Sequence, residues 1–429
     1  MGATPLLDHP PRPGEAMKVR RLLPGDRYGP ESLAAHLERH GKLATDRSSR
    51  GWRAEMVREV ERAGLLGRGG AAFPTAEKLQ AVLSSTRRPV VIGNATEGEP
   101  ASMKDRVLLA RAPHLVLDGA TMAADLVGAR AVTMVVHRDV RPMVDFAVDE
   151  RVRLGIDRAA IRVVTAADGF VAGEASAVVN WVDRGRPVPL GKPPRMSERG
   201  VDGRPTLVQN VETLAHLALI GRHGSQWYRQ VGTEEEPGSM LVTLVGAVAR
   251  PGVYEVGIGS TVGHVLALGG GPSASLQALL VGGYFGTWLS GGNSTLLRPF
   301  SALGLGVGLG AGVLVAFPTG VCGVAETARL ARYLASQSAG QCGPCRFGLP
   351  AIAGEMEALA GGRPARMSDA HRWLEEIVGR GACGHPDGAA NQVTSALRVF
   401  HDEVLEHEGG RCSAPGGQFM LPLPTKGSG

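Results

Sequence analysis

From residue 51 onward, apolar positions recur in two alternating rhythms. Residues 52–63 carry them at helical spacing and 89–92 as a short run with β-branched members. Helical spacing returns at 114–127 and 140–154, and apolar runs return at 131–136 and 161–164. Short strands alternating with helices predict a parallel sheet covered on both faces. Residues 174–182 add another helix. Near Pro237 the rhythm changes. Residues 239–248 and 253–256 read as strands about a Pro251-Gly252 turn, 261–268 as a short helix, and 278–281 as a strand before Gly282-Gly283. This predicts a small mixed α/β module ending near Phe317. From about Ala325 the spacing is helical, at 325–337, 350–360, 369–379 and 390–408, and four helices on short loops predict a bundle. Residues 1 to about 45 read as a poorly ordered or wrapping extension, and the chain after Gly409 as an irregular tail.

Composition narrows the function classes. A chain of 429 residues is too long for one compact core. Aromatic residues make up only 4%, so the core must be built from Ala, Val and Leu. The formal net charge of +5 is spread among Asp and Glu, with no basic stripe, so nothing points to nucleic acid. The N-terminal 30 residues are Pro-rich and charged rather than apolar, and Leu6 occupies the position where a myristoylation motif needs Ser or Thr. The most apolar stretch, 304–317, is short and Gly-rich, which argues against membrane insertion and for a cytoplasmic protein. The five cysteines, Cys322, Cys342, Cys345, Cys383 and Cys412, are odd in number and bunched late in the chain, which suits metal or redox use better than a disulfide scaffold.

Two segments carry candidate chemistry. Gly67-Arg68-Gly69-Gly70-Ala71-Ala72-Phe73-Pro74-Thr75 precedes a helix over 75–83. Glycines admit close backbone approach to a phosphate, and a helix N-terminus presents unpaired N–H groups to an anion. Lys78 can reach back to a phosphate or a flavin ring. The bland alternative is a surface turn. The second segment, Gly93-Asn94-Ala95-Thr96-Glu97-Gly98-Glu99-Pro100, follows a strand, and the carboxyl ends of parallel strands are where α/β sheets bind ligands. Asn94 can bond a flavin or its ribityl chain, and Glu97 and Glu99 can accept from ribose or nicotinamide. Alternatively, either carboxylate starts the next helix.

Together these segments resemble the NADH-binding FMN flavoprotein subunit of respiratory complex I and the related diaphorase subunits of hydrogenases and formate dehydrogenases. The resemblance rests on 67–78, on 94–106 with Lys104-Asp105-Arg106, and on Pro113-His114. Further on it is carried by Gly169, Gly173-Glu174, Gly185-Arg186, Lys192-Pro193-Pro194 and 203–213 with Asn210-Val211-Glu212-Thr213. It implies an FMN-binding parallel-sheet α/β domain, then a small β-grasp (soluble-ligand-binding) domain, then a C-terminal four-helix bundle carrying a 4Fe–4S cluster. The boundaries expected are an extension at 1–45, the FMN/NADH domain at 46–236, the β-grasp domain at 237–324, the bundle at 325–412 and a tail at 413–429. By the same resemblance Gly67, Arg68, Gly69, Lys78, Asn94, Glu97, Glu174, Gln209 and Asn210 touch FMN, and Phe73, Glu99 and Lys192 contact NADH. The chain departs from the family at Thr96, Ala175, Ala81, Arg195 and Gln209, mostly on the nucleotide side. The implied function is electron input: hydride from NADH to FMN, then single electrons to an iron–sulfur or protein acceptor. The alternative is an FMN-holding carrier or scaffold subunit without direct NADH oxidation. Other redox subunits, ferredoxin-like or quinone-reducing, are the implied partners. Hydride transfer to a flavin needs no side-chain acid or base, so no catalytic residue is assigned.

Cys342-Gly343-Pro344-Cys345-Arg346 and the later Cys383 have a spacing suited to a metal or cluster site. The family's motif has a further cysteine where this chain has Ala339. Three readings stay open: a cluster with Cys412, His385 or water as fourth ligand, a different metal, or relic cysteines. Cys322 reads as a buried apolar thiol.

Overall fold

The computed structural model describes residues 19–25, 29–43, 50–85, 87–191, 194–296, 310–412, 414 and 419–424. Its first sheet is parallel and four-stranded, built from β1 (Val90–Ala95), β2 (Ala131–Val136), β3 (Ala160–Thr165) and β4 (Thr206–Asn210) in the order β3-β2-β1-β4. Sequence rhythm predicted the first three. β4 is a five-residue run whose Gln and Asn broke the apolar pattern. The helices follow the expected positions closely: Arg50–Ala63, Thr75–Leu83, Pro113–Val127, Arg141–Arg153 and Ala175–Arg184. Pro113–Val127 is buried along its whole length because it lies between the sheet and the helix Val211–Tyr228. Gly119 permits that contact, since a Cβ there would fall 1.8 Å from the Leu214 carbonyl oxygen.

The second sheet contains β5 (Ser239–Gly246), β6 (Gly252–Gly257), β7 (Leu276–Val281), β8 (Thr287–Ser290) and β9 (Val313–Pro318) in the order β6-β5-β9-β7-β8. β5 and β9 run parallel and the other neighbours antiparallel. Alternate residues go to opposite faces. Leu279, Leu314 and Ala316 pack with the helix Val262–Leu268. Leu280, Val315 and Phe317 pack against the C-terminal helices. Both faces are therefore buried, so β9 is apolar throughout and lacks the alternation that marks a half-buried strand in sequence.

The C-terminal helices are Gly323–Ser336, Leu349–Ala360, Met367–Ile377, His385–Val399 and His401–Glu408. The single helix expected at 390–408 is two, separated at Phe400. That ring is buried against Trp288 and Phe317, at centroid distances of 5.1 and 5.8 Å. In the N-terminal segment, the described residues wrap the fold. Leu22 is fully buried, the backbone N–H groups of Arg21 and Leu22 donate to Glu255 at 2.9 Å each, and Leu33–His40 forms a helix. No helix among the described residues is long and apolar enough to cross a membrane.

Candidate functional site

The chain leaves β1 toward β2 and β3 on one side, and β4 lies on the other. The crevice beyond the strand ends at such a switch point is where open α/β sheets bind ligands. Asn94 and Asn210, paired in register at the ends of β1 and β4, both line a cavity of about 610 Å³ there. That volume falls within the roughly 300–1,000 Å³ of small-molecule sites. The first sheet's domain, the second sheet and the C-terminal helices each contribute a wall. The glycine-rich turn at 68–71, the loop at 97–105 and residues 170–174 come from the first domain. Residues 281–287 with Gly310 and Ala311 come from the second sheet, and Cys383, His385 and Asn391 from the bundle.

The loops are held by polar side chains that the sequence marked as ligands. Asn94 Nδ2 donates to the Gly173 carbonyl at 3.0 Å, and its Oδ1 accepts from Thr96 N and Oγ1. Glu97, with φ of 45°, accepts from Ser102 Oγ at 2.7 Å, from the backbone N–H of Asp105 and Arg106, and from Arg106 Nε. From outside the helix it thus satisfies two free N–H groups in the first turn of Lys104–Arg111, whose N-cap is Met103, so Glu97 does not itself start that helix. Glu174 caps Ala175–Arg184 through Ser176 N and Ala177 N. Asn210 Nδ2 donates to Asp105 Oδ2 at 2.6 Å, and its Oδ1 accepts from Glu212 N. Gly98 lies against the neighbouring wall, and a Cβ there would sit 2.6 Å from the Phe170 carbonyl oxygen.

Charges on this wall are unusually constrained. Glu99 accepts from Tyr284 N at 2.7 Å and Ala101 N at 3.2 Å, yet burial pushes its carboxyl up to about 7. Lys104 Nζ lies 2.7 Å from Asp105 Oδ1 and 3.0 Å from Glu212 Oε2. Burial alone would lower the Lys104 ammonium, but the two carboxylates outweigh it and hold it above its ordinary range. Burial pushes Asp105 up to about 6, partly offset by Lys104. Lys104 and Asp105 line the cavity but were absent from the expected site. The signal was present, since both fall in the matched Lys-Asp-Arg triplet.

The expected site residues thus divide. Arg68, Gly69, Asn94, Glu97, Glu99, Glu174 and Asn210 line the cavity. Arg68 sends its guanidinium to Tyr228 Oη at 3.0 Å and the Ser239 carbonyl at 3.3 Å, tying the glycine-rich turn to the end of the helix Val211–Tyr228 and the start of β5. Gly67 closes the turn by donating to the Phe73 carbonyl at 2.9 Å. Phe73 is 45% exposed, and the Lys78 ammonium stands 5.8 Å from its ring centroid. Gln209 is buried in β4 with its Nε2 unpartnered. Gly67, Phe73, Lys78 and Gln209 are not in the cavity wall. Lys192 lies outside the described residues.

Cys342 precedes, and Cys345 lies within, the π-helical turn Pro344–Gly348 that leads into Leu349–Ala360, and Cys383 precedes His385–Val399. Burial raises Cys342, but hydrogen bonds from the backbone of Ala382 and Cys345 outweigh it and lower the thiol. Burial and Cys342 push Cys345 up to about 12, with the nearby Ser338 hydroxyl opposing them. Cys383 also lines the cavity. Three thiols are one short of the four that hold a cubane cluster. Of the substitutes considered, His385 bonds the Leu334 carbonyl through Nε2 at 2.8 Å, and its buried Nδ1 has no partner. Cys412 groups instead with Cys322 and His407. Cys322 is therefore buried but not apolar in its surroundings: its sulfur stands 3.2 Å from His407 Nε2.

Comparison with known proteins agrees with this geometry. The Nuo51 FMN-binding domain matches residues 60–219, the SLBB domain 241–280, and the NADH-ubiquinone oxidoreductase-F iron–sulfur binding region 325–407. The F subunit of NADH-quinone oxidoreductase from Streptomyces coelicolor is 30% identical over 386 residues, 83% of this chain and 84% of that one. Its Mycobacterium bovis counterpart is 32% identical over 389 residues, covering 83% and 86%. Among solved structures, an air-oxidized NAD+-reducing NiFe-hydrogenase superposes with a TM-score of 0.78 at 32% identity. The match takes in 84% of this chain and 63% of the hydrogenase chain.

Proposed function

As this chain belongs to the family of NADH-quinone oxidoreductase F subunits, we propose that it is the electron-input flavoprotein of a larger redox assembly, oxidising NADH through FMN. FMN bound in this cavity would supply the chemistry, as an acceptor of hydride from NADH and a donor of single electrons. The observation that carries the reading is that Cys383 and the glycine-rich turn line one cavity, so the flavin site and the cysteine site share a wall. Gly69, Asn94, Glu97, Glu174 and Asn210 would hold the flavin, because they fix the loops at the switch point. Lys104, held charged by Asp105 and Glu212, places a permanent positive charge beside the cavity. Phe73, Glu99 and Lys192 are proposed for the nucleotide. Cys342, Cys345 and Cys383 would supply three thiolates to a 4Fe–4S cluster, with Arg346 offsetting negative charge. The division at residues 46, 237, 325 and 413 is kept as the proposed domain layout, and other redox subunits as the proposed partners.

The test is anaerobic. Purified chain should carry FMN and iron, and NADH should bleach the flavin absorbance. FMN without NADH bleaching would instead favour the carrier role. Protein holding only FAD, or no flavin, would overturn the proposal.

A further inference from the structure

Outside the cavity, three potential ligand atoms meet where nothing in the proposed electron path needs them. Cys322 Sγ, His407 Nε2 and Cys412 Sγ all lie within 4.8 Å of one another. They come from three separate places: the start of Gly323–Ser336, the end of His401–Glu408 and the chain just beyond it. His407 is buried, and its Nδ1 lies 3.1 Å from the Leu359 carbonyl. A carbonyl can only accept, so Nδ1 carries the proton and Nε2 presents its lone pair to the sulfurs. This is the orientation that histidine ligands take when a second partner fixes the tautomer. Cys322 Sγ is 3.2 Å from that nitrogen and also accepts from Ala325 N at 3.3 Å.

We propose that Cys322, His407 and Cys412 bind one zinc-class divalent cation, separate from the cysteines at 342, 345 and 383. Two thiolates and a neutral imidazole offset the charge of a dication, and the sulfur–nitrogen donor set suits zinc. Water takes the fourth position, on the side where Cys412 is only half-buried. Glu403 supports the site from outside, accepting from Gly323 N at 2.8 Å at the helix start that Cys322 caps.

The position suggests what the ion does. Just past Cys412 the chain returns to the fold. Met420 N and Leu421 N donate to Glu326 Oε1, and Arg329 Nη2 donates to the Leu421 carbonyl at 2.6 Å. Tyr284 Oη donates to the Pro422 carbonyl at 2.5 Å, while Tyr284 N holds Glu99 in the cavity wall. The ion pins the root of a tail that braces this wall.

The experiment uses the full-length chain. Metal analysis of purified protein should find one zinc per chain in addition to iron. After chelation, added Co2+ should bind one equivalent with thiolate-to-cobalt charge-transfer absorption. That absorption should persist in Cys345→Ser and vanish in Cys412→Ser and His407→Ala, with far-UV circular dichroism unchanged. If His407→Ala does not fold, Cys412→Ser decides, because Cys412 is only half-buried. The proposal is overturned if folded wild type takes up no cobalt, or if the band survives Cys412→Ser. It is also overturned by an intact mass short of two hydrogens with a Cys322–Cys412 linked peptide, which would mean a disulfide.

Discussion

Glu99 offers a quantitative test of how the cavity wall is built. Its carboxyl is raised from 4.5 to about 7, with burial as the main cause and the Tyr284 and Ala101 N–H groups opposing it. Each pH unit of such displacement is worth about 1.4 kcal/mol. Between pH 4.5 and 7 the folded protein keeps a proton on Glu99 that the unfolded chain has released. Stability therefore falls as pH rises through that window, by about 3 kcal/mol in all. Glu99→Gln removes this pH dependence. It also sets an amide N–H₂ against one of the two backbone N–H donors, which costs about 1–3 kcal/mol at every pH. The variant should thus be the less stable protein near pH 5, and its deficit should shrink or reverse near pH 8. Urea unfolding of both proteins at the two pH values, followed by tryptophan fluorescence, measures the change in their difference. A difference independent of pH would refute the idea that Glu99 is buried with its proton.

Gly98→Ala should lose flavin on gel filtration, because its Cβ would sit 2.6 Å from the Phe170 carbonyl oxygen and part the two loops of the cavity; full FMN retention would count against that wall. Asp118 accepts from Arg151 at 2.8 Å, from His36 at 2.6 Å and from Arg222. Burial opposes its ionisation, but these partners prevail and hold its carboxyl well below the usual range. Its stabilisation is present above the ordinary value of 3.8 and is lost as pH falls below it. Asp118→Ala leaves the buried Arg222 guanidinium without its carboxylate, while Arg151 keeps Asp157, and should cost about 3 kcal/mol in denaturant unfolding at neutral pH. Restoring a thiol as Ala339→Cys should make the iron content more resistant to air; unchanged iron loss would argue against a cluster at Cys342, Cys345 and Cys383.

The sequence by itself determined the three-part architecture, the parallel sheet and the flavin-binding class. Helix and strand periodicity is local, and the glycine-rich turn and the Asn94–Arg106 segment keep their residues in order along the chain. It did not reveal β4, β8 or β9. β4 carries Gln209 and Asn210 at its end, and β9 is buried on both faces, so neither alternates. The tertiary structure alone decided what the site side chains do. Glu97 and Glu174 were legible as cavity residues, but only folding shows that Glu174 caps a helix and that Glu97 holds the first turn of Lys104–Arg111 from outside it. Phe170 and Cys383 share one wall because the bundle packs against the second sheet and reaches the end of β1 from another direction. Likewise, 85 residues separate Cys322 from His407, so only the return of the last helix brings sulfur and imidazole to 3.2 Å. Contacts at such sequence separation follow from how faces pack, which no local pattern records.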